Sequence, residues 1–526
     1  MEPLADRIDG WARTKPDATA FASEHDTLTW ARYAAHSDRF AAHLLGLGLS
    51  PGDRVAVMLP DGPGVHVAFV GCEKAGLVVM GIGPRAGDEE LRHLLRKSGA
   101  SVLVTRDRWR GEDMAVRFAG LQRAILALEH HVAVRGQLDP SEPCYAGIPS
   151  VTPEPEMRLG VDDLFLLNST SGTTGLPKCV THHQARWFHF HEAAARSGEM
   201  DGEDVFLSAL PAPFGFGLWT AHFTPTILGA PCVVLEQFSA EAMIEAIERH
   251  RVSVLAAVST QFIMMLNSPA LEKHDLSSLR ALYTGGEAVP YERAAEFEER
   301  TGASVLQFYG SNETGALSGT TTADTREKRL RTAGRLLPEM NVRLFDEAGN
   351  DVTASGEGQP GCKGPLASRG YWADDEANQR LFTEDGWLLT GDICRIDADG
   401  YLCVVGRTAD FIIRGGKNIS GPAVEEAVGS HPDVALAAAI AMPDRVFGER
   451  VCVYVEQRPE RADELTLEEL LAHLAARGVT REWHPERLIV VPELPRASGG
   501  KVAKGVLRAD IRERLAREDA AGLSAG

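Results

Sequence analysis

The sequence predicts an α/β fold in two domains, because of its length, its alternating hydrophobic pattern and a change of pattern near residue 406. At 526 residues the chain exceeds what one hydrophobic core ordinarily supports. Short apolar runs recur between helix-like stretches, which is typical of α/β architecture. We expect a large N-terminal domain over residues 1–406 and a small C-terminal domain over residues 407–526.

In the N-terminal region, apolar runs predict buried strands at 55–59, 102–104, 233–235, 252–258 and 305–309. Ser239 can cap a helix in which Met243, Ile244 and Ile247 form one apolar face. The glycine-rich stretch 349–370 predicts loops and small β-ribbons.

In the C-terminal region, apolar runs predict strands at 434–442, 451–455 and 488–491. Thr466 and Glu469 form a capping box, and leucines then repeat at helical spacing at 467, 470, 471 and 474. A second, smaller unit with both helices and strands is therefore expected.

Composition argues against two classes of partner. The formal charge is −20, from 54 basic and 74 acidic residues, so neither nucleic acid nor an anionic membrane is expected to bind. No apolar run is long enough to cross a bilayer, and the start resembles no signal peptide. Eight scattered cysteines without a CxxC pair indicate reduced thiols, so we expect a cytoplasmic protein.

Residues 168–178 form the most informative segment and read Asn-Ser-Thr-Ser-Gly-Thr-Thr-Gly-Leu-Pro-Lys. Five hydroxyl side chains, two glycines and a lysine suit a loop that binds phosphate. Composition alone would more often indicate an ordinary solvated loop. A P-loop is excluded, because Lys178 follows Pro177 and precedes Cys179.

This segment resembles, almost letter for letter, the nucleotide loop of the adenylate-forming superfamily, which holds acyl-CoA synthetases, adenylation domains and luciferases. Further segments agree in order and spacing, and the resemblance spans about residues 28–510. It implies a large N-terminal domain of layered α/β sheets with a β-rich subdomain, and a small mobile α+β C-terminal lid. In this loop it implies the nucleotide-binding residues Ser169, Thr170, Ser171, Gly172, Thr173, Thr174, Gly175 and Lys178.

Residues 309–315 read Tyr-Gly-Ser-Asn-Glu-Thr-Gly and resemble the family's Tyr-Gly-x-Thr-Glu motif. The resemblance implies that Tyr309 flanks adenine and that Glu313 is catalytic and reaches Mg²⁺. Gly310 and Asn312 would complete this part of the nucleotide site. Asn312 stands where threonine is usual, which keeps polarity but removes a hydroxyl. Alone, a Tyr-Gly turn with one glutamate often occurs by chance.

Two shorter segments resemble further parts of the nucleotide site. Residues 284–287 read Thr-Gly-Gly-Glu, and the resemblance places Gly285 beside the acyl group and Gly286 and Glu287 beside the nucleotide. Residues 390–392 read Thr-Gly-Asp, and Asp392 would accept both ribose hydroxyls. By themselves, the glycine pair is merely a turn, and the aspartate could equally cap one.

Residues 406–419 closely resemble the family's interdomain segment. Arg407 would contact ribose or phosphate, and Gly415 and Gly416 would line the thioester channel. Ala409 stands at the pivot, where Asp or Lys is usual, and alanine still allows the backbone to rotate.

Residues 495–501, Pro-Arg-Ala-Ser-Gly-Gly-Lys, resemble the loop that carries the adenylation lysine. Lys501 would be catalytic, bridging the attacking carboxylate and the α-phosphate. Lys504 is the alternative, although it lacks the preceding glycine. Alone, an exposed lysine in a glycine loop ordinarily has no such role.

Residues 211–219 lie where many acyl-CoA synthetases have a histidine, and Phe214 stands at that position. Phe214, Phe216 and Trp219 favour an uncharged acid, including one that contains a ring, although aromatic clusters are often plain core. Small residues would leave room for a bulky acyl group. The predicted acyl-binding residues are Phe214, Phe216, Ala256, Gly285, Gly310 and Ala316.

The resemblance implies an ATP-dependent, AMP-forming acid–CoA ligase that uses ATP, Mg²⁺ and coenzyme A on an aromatic, cyclic or medium-size apolar carboxylic acid. The alternative is a stand-alone acid–AMP ligase that loads a carrier protein. Nothing in the sequence indicates luciferase-like oxygen chemistry. A catalytically silent binding protein is disfavoured, because Lys178, Glu313, Asp392, Arg407 and Lys501 are all present.

Overall fold

Helices and strands alternate through most of the chain in a computed structural model of the protein. The structure describes residues 1–24, 26–136, 138–139, 141–147, 151–170, 177–287, 289–346, 348–407, 411–414, 417–458, 461–496 and 502–520. No helix among these residues is both long and apolar enough to cross a bilayer.

The helices, in chain order, are α1 Leu4–Thr14, α2 Trp30–Gly46, α3 Pro63–Lys74, α4 Asp88–Ser98, α5 Met114–Gln122, α6 Gln184–Gly198, α7 Gly215–Gly217, α8 Thr224–Leu228, α9 Ala240–His250, α10 Ser259–Asn267, α11 Tyr291–Thr301, α12 Arg326–Arg331, α13 Asp375–Leu381, α14 Gly421–Gly429, α15 Leu467–Ala476 and α16 Lys504–Ala520. A π-helical turn, Leu218–Phe223, joins α7 to α8.

The strands, in chain order, are β1 Thr19–Ala22, β2 Thr27–Thr29, β3 Arg54–Met58, β4 Val78–Gly81, β5 Val102–Arg106, β6 Arg108–Trp109, β7 Glu112–Asp113, β8 His130–Val134, β9 Leu164–Ser169, β10 Cys179–His183, β11 Phe206–Ser208, β12 Cys232–Val234, β13 Val254–Ala256, β14 Ala281–Gly285, β15 Ser304–Ser311, β16 Gly315–Gly319, β17 Arg335–Leu336, β18 Asn341–Phe345, β19 Glu357–Lys363, β20 Leu388–Leu389, β21 Asp392–Ile396, β22 Leu402–Arg407, β23 Phe411–Arg414, β24 Lys417–Ser420, β25 Val434–Asp444, β26 Gly448–Gln457 and β27 Arg487–Val491.

Two large sheets organise the N-terminal domain. In the described residues, the first sheet has the order β17-β16-β15-β14-β13-β11-β12-β1-β2, and the second has the order β10-β9-β4-β3-β5-β8. Strands β11 to β15 of the first sheet pair with one another in parallel, whereas β16 runs antiparallel to β15. Apolar side chains of both sheets, such as Val79, Leu166, Val254 and Tyr283, share one buried core. The sheets are therefore stacked layers, as predicted.

A separate β-rich sheet follows, with the order β18-β19-β21-β22 and β20 paired to β19. It contains much of the glycine-rich stretch 349–370, where loops and β-ribbons were predicted. The C-terminal domain has its own sheet, β24-β23-β26-β25, with β27 paired to β26. The buried residues of the two apolar clusters in this domain lie between positions 412 and 511. The buried residues of the other clusters all lie at or before position 402, so the two domains have separate cores. The predicted fold class is confirmed.

Local signals placed several helix starts correctly. The Ser239 side chain accepts a hydrogen bond from the Ala242 amide at the start of α9, whose predicted apolar residues are buried. The capping box of Thr466 and Glu469 begins α15. The strand predicted at 252–258 is shorter, because the chain turns into α10 directly after β13.

Candidate active site

Several of the predicted site residues lie at or just after the ends of adjacent parallel strands. Ala256 ends β13, Gly285 ends β14, and β15 carries Tyr309 near its end. The segment 211–219 begins shortly after β11, which pairs with β13. Because parallel strands end at the same edge of a sheet, this edge brings these segments together and is the usual place for a ligand.

The second sheet contributes the predicted nucleotide loop. Ser169 ends β9 and pairs with Cys179, the first residue of β10. The Thr170 amide donates to the Lys178 carbonyl at 3.0 Å, and the Lys178 amide donates to Thr170 Oγ1 at 3.3 Å. These bonds close the neck of the loop. The predicted loop residues Ser171, Gly172, Thr173, Thr174 and Gly175 lie outside the described residues.

Lys178 and Glu313, which the sequence assigned to different motifs, meet at Tyr371. The Tyr371 hydroxyl donates to Glu313 Oε1 at 2.8 Å, and Lys178 Nζ lies 4.8 Å from the centre of the Tyr371 ring. Burial, and then the negative charge of Glu313, raise the pKa of Tyr371, so this hydroxyl stays protonated and donates. Tyr371 was missed, because one tyrosine after a glycine carries no distinctive spacing.

Tyr309 and Asp392 also meet, across the boundary between the first sheet and the β-rich sheet. The Tyr309 hydroxyl donates to Asp392 Oδ2 at 2.6 Å, and burial raises the pKa of Tyr309 well above its usual range. The backbone of Asp392 pairs with that of Arg407. The Arg407 side chain lies outside the described part of the structure.

The predicted glycines are required by close backbone packing. A Cβ on Gly310 would lie 1.8 Å from the Gly315 carbonyl oxygen, and one on Gly285 would lie 2.9 Å from the Phe308 carbonyl oxygen. Gly286 has a φ of +80°, which favours glycine. Any residue with a side chain at Gly310 would force the β15–β16 turn apart.

Glu287 has a contact that the sequence did not indicate. Its Oε1 accepts a hydrogen bond from the Ser259 amide at 3.1 Å, at the first residue of α10. A carboxylate there is stabilised by the unpaired amides and the positive end of the helix dipole. The nucleotide role of Glu287 stays a prediction.

We call the segment 211–219, which carries the predicted acyl-binding residues Phe214 and Phe216, the acyl wall. Phe214 and Phe216 are half-buried, and the Phe216 ring stacks on Trp219 at 5.8 Å. Ala256 is buried in a small cluster with Phe216, and Ala316 is also buried. Trp219 is only 4% exposed and packs edge-on against buried aromatic rings, so it belongs to the core.

The lid residues Ala409, Gly415, Gly416 and Lys501 lie outside the described residues. The alternative lysine, Lys504, is described, and its Nζ pairs with Glu425 Oε1 at 2.8 Å within the C-terminal domain.

The nearby thiol and the acidic groups limit the chemistry of the site. Cys179 is buried, and burial raises the pKa of its thiol to about 12, so it is a poor nucleophile at neutral pH.

No cluster of three or more His, Cys, Asp or Glu side chains that could hold a metal ion occurs in the part of the chain that the structure describes. Mg²⁺ in nucleotide enzymes is usually held by one or two carboxylates and the substrate phosphates. The carboxylate of Glu313, which contacts the same tyrosine as Lys178, fits that pattern.

Family comparisons match both parts of the chain. A family model described as AMP-binding enzyme matches residues 8–372, and one described as AMP-binding enzyme C-terminal domain matches residues 423–501.

Among characterised relatives, the chain is 33% identical over 517 residues to the salicyl-AMP ligase / salicyl-S-ArCP synthetase of Mycobacterium tuberculosis, covering 95% of this chain and 89% of that protein. It is 29% identical over 522 residues to the medium-chain fatty-acid–CoA ligase of Escherichia coli, covering 98% and 91%. The solved anthranilate CoA ligase AuaEII in complex with anthranoyl-AMP has the same fold, with a TM-score of 0.88, 23% identity and 98% coverage of both chains.

Proposed function

The chain belongs to the AMP-binding enzyme family, and from this premise we propose that it activates an aromatic, cyclic or medium-size apolar carboxylic acid and transfers the acyl group to coenzyme A. AMP-forming acid–thiol ligation is the activity that the family and the relatives support. The acid and the thiol acceptor are the finer parts of the proposal.

One arrangement carries this proposal: the contact of Lys178, Tyr371 and Glu313 close to the sheet edge where Tyr309 meets Asp392 of the β-rich sheet. The cation suits the phosphates of ATP, and the carboxylate suits the Mg²⁺ that accompanies them. We assign Lys178 to the phosphates, Tyr309 to adenine and Asp392 to the ribose. The Tyr309–Asp392 hydrogen bond would hold the two nucleoside-binding groups at a constant separation.

In the first half-reaction, an oxygen of the substrate carboxylate attacks the α-phosphorus of ATP, and the bond from that phosphorus to pyrophosphate breaks. We assign Lys501 to the negative charge that gathers between carboxylate and phosphate. Bound Mg²⁺, which Glu313 would hold, supplies positive charge to the departing pyrophosphate. In the second half-reaction the thiol attacks the acyl carbon, and AMP and a proton leave.

The half-buried Phe214 and Phe216, with the small Ala256, support an uncharged acyl group. Gly285, Gly310 and Ala316 would leave space beside it. One relative is named for salicyl and another for medium-chain fatty acids, which fits the proposed range of aromatic to medium-size apolar acids.

We further propose that residues 407–526 form a mobile lid. In one pose Lys501 would reach the active site, and after rotation near Ala409 the loop with Gly415 and Gly416 would replace it.

The eight cysteines are free thiols in the structure, which supports our proposal of a cytoplasmic protein.

A second acceptor is worth testing. One relative is named salicyl-S-ArCP synthetase, so its acyl group passes to an acceptor other than CoA. The alternative function is therefore an acid–AMP ligase that loads a carrier protein.

The test is pyrophosphate release with ATP and Mg²⁺ across benzoate-like, medium-chain and short-chain acids, with and without CoA. Release that CoA accelerates, together with an acyl-CoA product, supports the ligase. Release without an acyl-CoA product favours the carrier-protein acceptor. Acetate outperforming every aromatic and medium-chain acid would contradict the proposed substrate class.

A further inference from the structure

A series of hydrogen bonds joins the start of the nucleotide loop to the acyl wall. It is buried at Arg186, His182 and Asn168 and half-buried at Asn312. Arg186 NH1 contacts His182 Nδ1 at 3.1 Å, and His182 Nε2 contacts Asn168 Oδ1 at 2.9 Å. Asn168 Nδ2 donates to Asn312 Oδ1 at 3.3 Å, and that oxygen also accepts from the Gly215 amide at 3.1 Å. Three of the chain's sequence motifs are thereby linked: Asn168 and Asn312 through their side chains, and the segment 211–219 through the backbone of Gly215.

The orientation of both amides follows from groups whose hydrogen-bonding role cannot change. The Gly215 amide can only donate, so the atom of Asn312 that faces it must be the carbonyl oxygen. The Pro213 carbonyl can only accept, so the atom of Asn168 that lies 3.0 Å from it must be the amide nitrogen. The two asparagines then fit together as donor and acceptor.

The other end of the series is determined in the same way. A guanidinium can only donate, so His182 Nδ1 accepts from Arg186 and His182 Nε2 carries the proton that Asn168 Oδ1 accepts. Burial, and then the charge of Arg186, lower the pKa of His182 well below its usual range. His182 therefore stays neutral, and every donor in the series meets an acceptor.

Burial makes this series costly to break. Asn168 and His182 are completely buried, and Arg186 is 4% exposed. Arg186 also donates to the Asn312 carbonyl at 2.9 Å and to the Leu366 carbonyl at 2.8 Å. A buried polar group that loses its partner carries its desolvation cost without compensation. Both the backbone and the side chain of Asn312 are therefore held in place.

The resemblance placed Asn312 in the nucleotide site, but its side-chain oxygen is taken up by Asn168 and the Gly215 amide. We propose that Asn312 is instead a positioning residue that holds the acyl wall at Gly215, and that it thereby sets the affinity for the acid rather than for ATP. This inference rests on the proposed function for its kinetic consequence only. The family's usual threonine has a side chain one bond shorter, which cannot extend its oxygen as far towards Gly215. Asn312, which departs from the family motif, thus has a structural role in this chain.

The first test measures the Gly215 amide itself, by hydrogen–deuterium exchange of a peptide that contains it. Asn312→Thr removes the acceptor, and we expect exchange at Gly215 to become about tenfold faster. Asn312→Asp keeps an oxygen facing Gly215 and should exchange at the wild-type rate. Asn341→Thr, the same change at an exposed strand residue, is the matched control. Unchanged exchange in Asn312→Thr would overturn the inference.

The second test is steady-state pyrophosphate release with the best acid of the panel. Asn312→Thr should raise KM for the acid about tenfold and leave KM for ATP within about twofold. A fall in kcat with both KM values unchanged would indicate general loss of folded enzyme and would contradict the positioning role. If the wild-type protein releases no pyrophosphate with any acid, the proposed function fails, and the exchange measurement still decides the inference.

Discussion

Replacement of Tyr371 by phenylalanine tests how Glu313 and Lys178 are brought together. The substitution removes the hydroxyl that donates to Glu313 Oε1 at 2.8 Å and keeps the ring that lies under Lys178 Nζ. Tyr371→Leu removes both contacts. The pair of variants therefore separates the hydrogen bond from the cation–π contact.

The magnitude follows from the type of each contact. A hydrogen bond to a charged group contributes about 1.5–3 kcal/mol, and we take the lower end because Tyr371 and Glu313 are only half-buried. A loss of about 1.5–2 kcal/mol is roughly a 12- to 30-fold rise in KM for ATP with Mg²⁺. The ring contact adds about 0.5–1 kcal/mol, so Tyr371→Leu should lose roughly a further two- to fivefold.

The assay is pyrophosphate release at saturating acid with ATP varied, and the control is Tyr401→Phe. Tyr401 makes the same two kinds of contact elsewhere: its hydroxyl donates to Asp324 Oδ1 at 2.5 Å, and Lys328 Nζ lies 4.5 Å from its ring centre. The control should leave KM for ATP unchanged. A wild-type KM for ATP in Tyr371→Phe, or an equal rise in KM in Tyr371→Phe and Tyr401→Phe, would refute the role of the Tyr371–Glu313 hydrogen bond.

Three further predictions test other parts of the molecule. Lys501→Ala should abolish acyl-AMP formation and leave thioester formation from preformed acyl-AMP largely intact; equal loss of both half-reactions would contradict its role. Burial raises the pKa of Asp61 to about 7, although the Ala212 amide donates a hydrogen bond to its carboxylate. Between about pH 4 and about pH 7 the folded protein therefore keeps a proton on Asp61 that the unfolded chain has lost, so the stability of the folded state falls as the pH rises through this range. Asp61→Asn should remove this fall, so its gain in Tm should be absent near pH 4 and complete above pH 7; a pH-independent difference would contradict the assignment. Arg477 NH2 lies 3.1 Å from Glu292 Oε1 across the two domains, so Arg477→Glu should shift the ratio of the two half-reaction rates by at most about threefold, and high salt should abolish the shift.

Motifs with regular local spacing were predictable. The cap at Ser239, the capping box of Thr466 and Glu469, and the apolar faces that follow them all depend on residues within one or two helical turns. Strand limits were less predictable, as the shortened strand β13 shows. Its apolar run continues towards α10, and an apolar run alone does not reveal where the backbone turns.

The composition of the site was predictable for the same reason, whereas its contacts were not. Glu313 and Asp392 were named from their motifs, but nothing in the sequence pairs Glu313 with Tyr371 or Asp392 with Tyr309. These partners are 58 and 83 positions apart. Asn312 was noticed only as a departure from threonine, and its partner Gly215 is 97 positions away.

The sequence by itself determined the family, the fold class and the chemical groups available to the site, because these depend on residue type and local spacing. The tertiary structure decided which of those groups meet. The stacking of two sheets brings the end of β9 to the acyl segment and to the Tyr309 motif, and the β-rich sheet places Asp392 against Tyr309. Such contacts depend on packing between segments that are distant in the sequence, and short-range sequence patterns do not predict that packing.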